Sequence, residues 1–132
     1  MKLFRAIAVT AALSTAVGLA PTPTATAMGR FPANGTYTAV DVVDGSNLTL
    51  RIVGNERNAR VLLFDDVATV ACPDEFSAVI ARGSGAWVDD ELDVTLRITC
   101  LGEPNPPDFP LTFAYDEGTD TISAGGDTYT RA

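Results

Sequence analysis

The chain has 132 residues, with 17 acidic side chains against 9 basic ones, no histidine and a formal net charge of −8. That surplus of negative charge argues against nucleic acid and anionic membrane surfaces as partners, because their phosphates would be repelled. The missing histidine removes the base or ligand on which most serine, cysteine and zinc hydrolase arrangements depend.

Residues 1–27 have the pattern of a secretory signal peptide. Lys2 and Arg5 give a positive start, Ala6 to Ala20 an apolar run, Pro21 and Pro23 a break, and Ala25-Thr26-Ala27 the small residues cleavage requires. The apolar run falls short of the ~18 residues a spanning helix needs, so no membrane span is expected in the mature form. Cleavage before Met28 would remove Lys2 and Arg5. The remaining cations are then seven arginines against 17 acids, a net charge of −10 with no lysine. Preference for Arg over Lys and Ala over Ile suggests a GC-rich bacterial genome. The expected destination is extracellular.

Residues 28–34 are expected to form a loose arm, and residues 35–132 a single antiparallel β domain. Thr36 to Val43, Leu48 to Val53 and Ala59 to Phe64 are predicted strands, rich in β-branched residues and separated by Asp44-Gly45-Ser46 and Gly54-Asn55-Glu56 turns. Asp65-Asp66 should turn the chain into a strand over Val67–Cys72. Phe76 to Arg82 is read as a further strand, one or two helical turns being the alternative, leaving through a Gly83-Ser84-Gly85 turn. The clearest signal follows, in the hairpin from Gly85 to Cys100. There Leu92, Val94, Leu96, Ile98 and Cys100 alternate with Asp93, Thr95, Arg97 and Thr99, the period-2 pattern of a half-buried strand. Gly102 to Pro110 holds four prolines in nine residues and should be a rigid extended loop. Leu111–Tyr115, Thr121–Ala124 and Asp127–Arg131 complete the set. Thr49-Leu50-Arg51-Ile52 recurs as Thr95-Leu96-Arg97-Ile98, an echo expected of repeated hairpins.

No segment sustains a 3.6-residue period, so the fold class is all-β. About eight to ten short strands should form one small antiparallel barrel, the alternative being a two-sheet sandwich. The two cysteines of an exported chain should pair as Cys72–Cys100. On the chain-entropy account such a loop stabilises by roughly 3–4 kcal/mol.

Carboxylates are the only abundant reactive groups, and each cluster sits at a predicted turn, where Asp bonds locally to the backbone. Asp89, Asp90, Glu91 and Asp93 are the best calcium candidates, but turn chemistry accounts for them without a metal. No cofactor and no catalytic residue are predicted. Trp87, Tyr37, Phe113 and Tyr129 either fill the core or line a pocket. Pro104, Asn105, Pro106 and Pro107, in the rigid loop, are candidates for contacting a partner, since a stiff loop loses little entropy on docking.

The chain ends resemble those of small up-and-down barrels of the calycin type, avidin and streptavidin included. Gly35-Thr36-Tyr37 is similar to their opening strand, and Gly126-Asp127-Thr128-Tyr129-Thr130-Arg131 to their closing one. The likeness implies a barrel, and it places Asp127 where that family contacts biotin. It covers about a dozen residues, and the family's several pocket tryptophans are matched here by Trp87 alone. The expectation is therefore a secreted, non-enzymatic binding or inhibitor-like module acting through its loops or barrel mouth. Its partner would be an extracellular protein or a small apolar molecule. An acid-pair hydrolase and a structural cell-envelope component are the alternatives.

Overall fold

The computed structural model describes residues 31–68, 72, 78–101 and 105–132; the signal-peptide expectation and residues 28–30 lie outside them. The described residues contain nine strands and no helix: β1 (Gly35–Val40), β2 (Asn47–Asn55), β3 (Asn58–Asp65), β4 (Val79–Gly85), β5 (Trp87–Val88), β6 (Glu91–Cys100), β7 (Phe109–Asp116), β8 (Thr121–Ala124) and β9 (Asp127–Arg131). Neighbours along the chain pair antiparallel. Two further pairings, β1 with β9 and β4 with β6, close the sheet on itself. The result is a closed eight-stranded barrel, which rules out the sandwich. Closure leaves no long unpaired edge.

The two-residue β5 is no separate stave. It continues β4 in the same register against β6, with Arg82 opposite Arg97 and Trp87 opposite Leu92. Gly83-Ser84-Gly85 therefore lies inside a strand, not in the expected turn. The turn is Asp89-Asp90, with Asp89 at φ 55°. The glycines are there because two backbones nearly touch. A Cβ on Gly83 would lie 2.3 Å from Val94 Cγ1, and one on Gly85 would lie 2.3 Å from the Asp93 carbonyl oxygen. In a strand, glycine marks such close approach as readily as it marks a turn.

Other boundaries differ for local reasons. β1 stops at Val40, because Asp41 turns back to accept the Val43 N–H (2.6 Å) and the Gly45 N–H bonds to the Asp41 carbonyl. Val42 and Val43 are exposed accordingly. Of the strand expected over 67–72, residues 69–71 lie outside the description, and Val67, Ala68 and Cys72 are not in a strand; the Cys72 N–H bonds to the Ala68 carbonyl. The strand expected from Phe76 begins at Val79, residues 73–77 lying outside the description. Pro110 is tolerated within β7 because β8 pairs only from Ala114 onward, so no neighbour there needs its missing N–H.

The inward row of β6 is as expected, from fully buried Leu92 to Cys100. Both copies of the Thr-Leu-Arg-Ile echo occupy equivalent settings. Leu50, Ile52, Leu96 and Ile98 turn inward, while Arg51 and Arg97 turn outward. With Arg60 and Arg82 they make a basic outer wall, and Arg82 faces Arg97 directly across the strand pair.

One end of the barrel is plugged. Residues 31–34 are no loose arm: Phe31 packs on Trp87 with ring centroids 5.0 Å apart, and Ala33 is wholly buried. Arg131 holds the plug. It donates to the Pro32 and Asn34 carbonyls at 2.8 Å, and to the Tyr37 hydroxyl at 2.9 Å. It also grips Asp120 through two nitrogens and lies 4.8 Å over the Tyr37 ring. The guanidinium takes the space where a Gly35 side chain would be. Burial pushes Tyr37 up to about 12, so its hydroxyl stays a donor to the Ala33 carbonyl.

Replacing Gly85 by alanine should destabilise the fold by about 1–3 kcal/mol, because the backbone of β6 must give way. A urea melt of Gly85→Ala with an unchanged midpoint would show that the two strands can part without cost.

Candidate functional site at the open end of the barrel

Inward side chains grade in size along the barrel axis. Tyr37, Trp87, Phe113 and Tyr115 fill the plugged end. Toward the other end the inward positions include Ala39, Ala81 and Ala124. Eight strands enclose a bore that side chains can either fill or leave open for one small ligand. Here the small residues leave it open, as a cavity of about 530 Å³ at the mouth. Its inner walls are apolar, with Leu48, Leu63, Ala81, Leu96, Ile98 and Leu111 prominent.

The mouth is built by the connections at that end. The β3–β4 segment is fastened to the end of β6 by the Cys72–Cys100 disulfide, as expected. Around it Ala68, Val79 and the two cysteines form a small buried cluster that flanks the cavity. The proline-rich loop supplies the adjoining rim. Pro106 and Pro107 line the cavity, and Asn105 fixes the loop by accepting the Cys100 N–H at 3.1 Å. Pro104 lies outside the described residues.

Asp41, Asp44, Asp65, Asp108 and Asp127 ring the opening. Most of them also secure backbone. Asp127 accepts the Val42 N–H at 2.9 Å, joining the mouth ends of β9 and β1 where ladder pairing has stopped. Asp44 accepts the Ser46 N–H, and Asp65 the Val67 N–H. Asp65 is only 8 % exposed, and that burial pushes its carboxyl above the usual range. The buried Ser46 hydroxyl and the Val67 N–H pull it back, while Asp44 and Asp41 push it up further. The Ser46 hydroxyl lies close enough to favour the charged form, yet outside hydrogen-bonding geometry.

Tyr129 is the polar group inside. It is 2 % exposed and lines the cavity, and no hydrogen bond reaches its hydroxyl. Burial raises its pKa strongly, with Asp127, Asp41 and Asp65 adding to the effect. The proton is held throughout the physiological range.

The sequence candidates thus separate. Asp127, Tyr129, Pro106 and Pro107 meet at the mouth. Trp87 belongs to the plug at the far end, and its buried indole N–H has no partner. Tyr37 and Phe113 are core. Asp89 and Asp90 form a turn at the plugged end, and Asp93 accepts the Thr112 hydroxyl on the outer surface. Among the described residues no group of three or more acids, histidines or cysteines gathers as a metal site. Asp41, Asp44 and Asp65 were missed as pocket residues, since in sequence they are turn residues like the other acids. A scan against protein-family models gives no match for this chain, and neither curated proteins nor solved structures give one.

Two outcomes follow from this geometry. Asp65 is held with its proton more tightly folded than unfolded, so its ionisation weakens the fold as pH rises through the raised value. Asp65→Asn should therefore be more stable than the parent at pH 7 in urea melts, with the gap narrowing toward pH 4. A gap that widens on acidification would contradict the assignment. Cys72→Ala/Cys100→Ala should lose roughly 3–4 kcal/mol in the same assay; a loss under about 1 kcal/mol would mean that the mouth holds its shape without the link.

Proposed function

We propose that the protein is a secreted, non-enzymatic binding module that holds a small, largely apolar molecule in the mouth of its barrel. The observation behind this is the cavity itself. A volume of about 530 Å³ falls within the ~300–1,000 Å³ of small-molecule sites, and apolar walls with a few convergent polar groups are their usual lining. Secretion is part of the reading, supported by the signal-like residues 1–27 and by a disulfide that suits an oxidising compartment. The proline-rich loop acts here as a rim. The likeness to avidin-type chain ends does not bring biotin with it: Asp127 is at the mouth, but Trp87 is at the opposite end.

An acid-pair hydrolase is the second reading, favoured by the raised Asp65 carboxyl beside Asp41 and Asp44. It is the weaker one. A sugar would need polar groups along its length, and the walls that face it are mostly leucine, isoleucine and alanine.

A neutral fluorescent probe such as N-phenyl-1-naphthylamine should bind the folded protein with one-to-one stoichiometry and a blue-shifted emission. Ala81→Phe, which fills the bore, should weaken binding at least tenfold while leaving the β-sheet circular dichroism intact. Binding unaffected by that replacement would place the probe elsewhere and refute the reading.

A further inference from the structure

We propose that the cavity selects amphiphiles with a cationic head, an ammonium or guanidinium group carried on an apolar body. This deepens the reading above and rests on it. Five carboxylates, those of Asp41, Asp44, Asp65, Asp108 and Asp127, stand at the opening, and the lining contains no arginine. The described arginines are all elsewhere. Arg51, Arg60, Arg82 and Arg97 are on the outer wall, Arg57 is at the β2–β3 turn of the plugged end, and Arg131 is committed to Asp120. Among the described residues no side-chain cation pairs with Asp41, Asp65, Asp108 or Asp127, in a setting partly removed from water. A low-dielectric wall strengthens such a field.

The acids alone would be explained by the turns they cap. Tyr129 is the independent sign of a ligand. Its side chain is 2 % exposed and lines the cavity, and its hydroxyl takes no hydrogen bond from the protein, so that group is open to whatever occupies the cavity. A head group seated inside the ring of aspartates can donate an N–H to the Tyr129 oxygen, and the ring face offers cation–π attraction. Asp41 and Asp127 each give one oxygen to a backbone N–H. Their second oxygens, which accept no hydrogen bond from the protein, can take the remaining N–H donors. The apolar body then lies along Leu48, Leu63, Leu96 and Ile98. An anionic amphiphile of the same length would meet only repulsion at the rim.

Three ten-carbon probes separate these terms: decylammonium, decanol and decanoate, titrated calorimetrically at low ionic strength. Decylammonium should bind the wild-type protein at least tenfold tighter than decanol, as expected for hydrogen bonds to charged groups, and decanoate should bind weakest. Asp65→Asn/Asp127→Asn keeps the accepting oxygens and removes two charges. It should bring the amine down toward the alcohol without weakening the alcohol, and Asp127→Asn alone should do so in part. Ala81→Phe should abolish binding of the amine; retention there would mean adsorption to outer acids and would overturn the proposal. Decanol binding as well as decylammonium would overturn the charge selection and leave the apolar cavity reading standing. Failure of all three to bind the folded wild type would overturn both.

Discussion

Closure of the sheet is the constraint from which the other features follow. Once β4 pairs with β6 and β1 with β9, every second side chain on eight staves is forced into one bore. What happens inside then depends on the sizes of those side chains. The closing seams also set local demands. At the β4–β6 seam the backbones come so close that only glycine fits at positions 83 and 85. At the β1–β9 seam the ladder is short, and side chains complete it from both ends. Arg131 binds the entering segment at the plugged end, and Asp127 takes the Val42 N–H at the mouth.

The two ends have opposite chemistry as a result. At the plugged end large aromatics meet the entering chain, and the Arg131–Asp120 ion pair is local to it. At the mouth, alanines replace aromatics and aspartates cap the turns. Those aspartates serve two purposes at once. Asp41, Asp44, Asp65 and Asp127 each spend an oxygen on a backbone donor, and among the described residues the lining of the space they face contains no arginine. The disulfide belongs to this end as well, tying Cys72 to the end of β6. The cavity thus lies where staves give way to connections.

Much of this was legible in the chain. The alternation from Leu92 to Cys100, the absence of a helical period and the regular turns imply an antiparallel meander, and two cysteines allow one pairing. Other points were not legible, for identifiable reasons. Gly83-Ser84-Gly85 has the composition of a turn, and nothing local distinguishes a turn from a strand pressed against its neighbour. Trp87 and Tyr129 are both aromatic residues on inward rows. Which one lines a cavity depends on their heights along the barrel axis, and that follows from the stagger of the pairings. Asp41 and Asp65 are likewise indistinguishable in sequence from Asp89 and Asp116, all of them turn acids.

The sequence by itself determined the class of structure and the covalent link, since side-chain period and cysteine count are local properties. It also determined the charge balance. Only the tertiary structure decided that the sheet closes, that residues 31–34 seal one end, and that five separated aspartates share one opening with Tyr129. Closure joins residues far apart in the chain, and a cavity is a sum over every inward volume in the ring. No window of neighbouring residues contains either quantity.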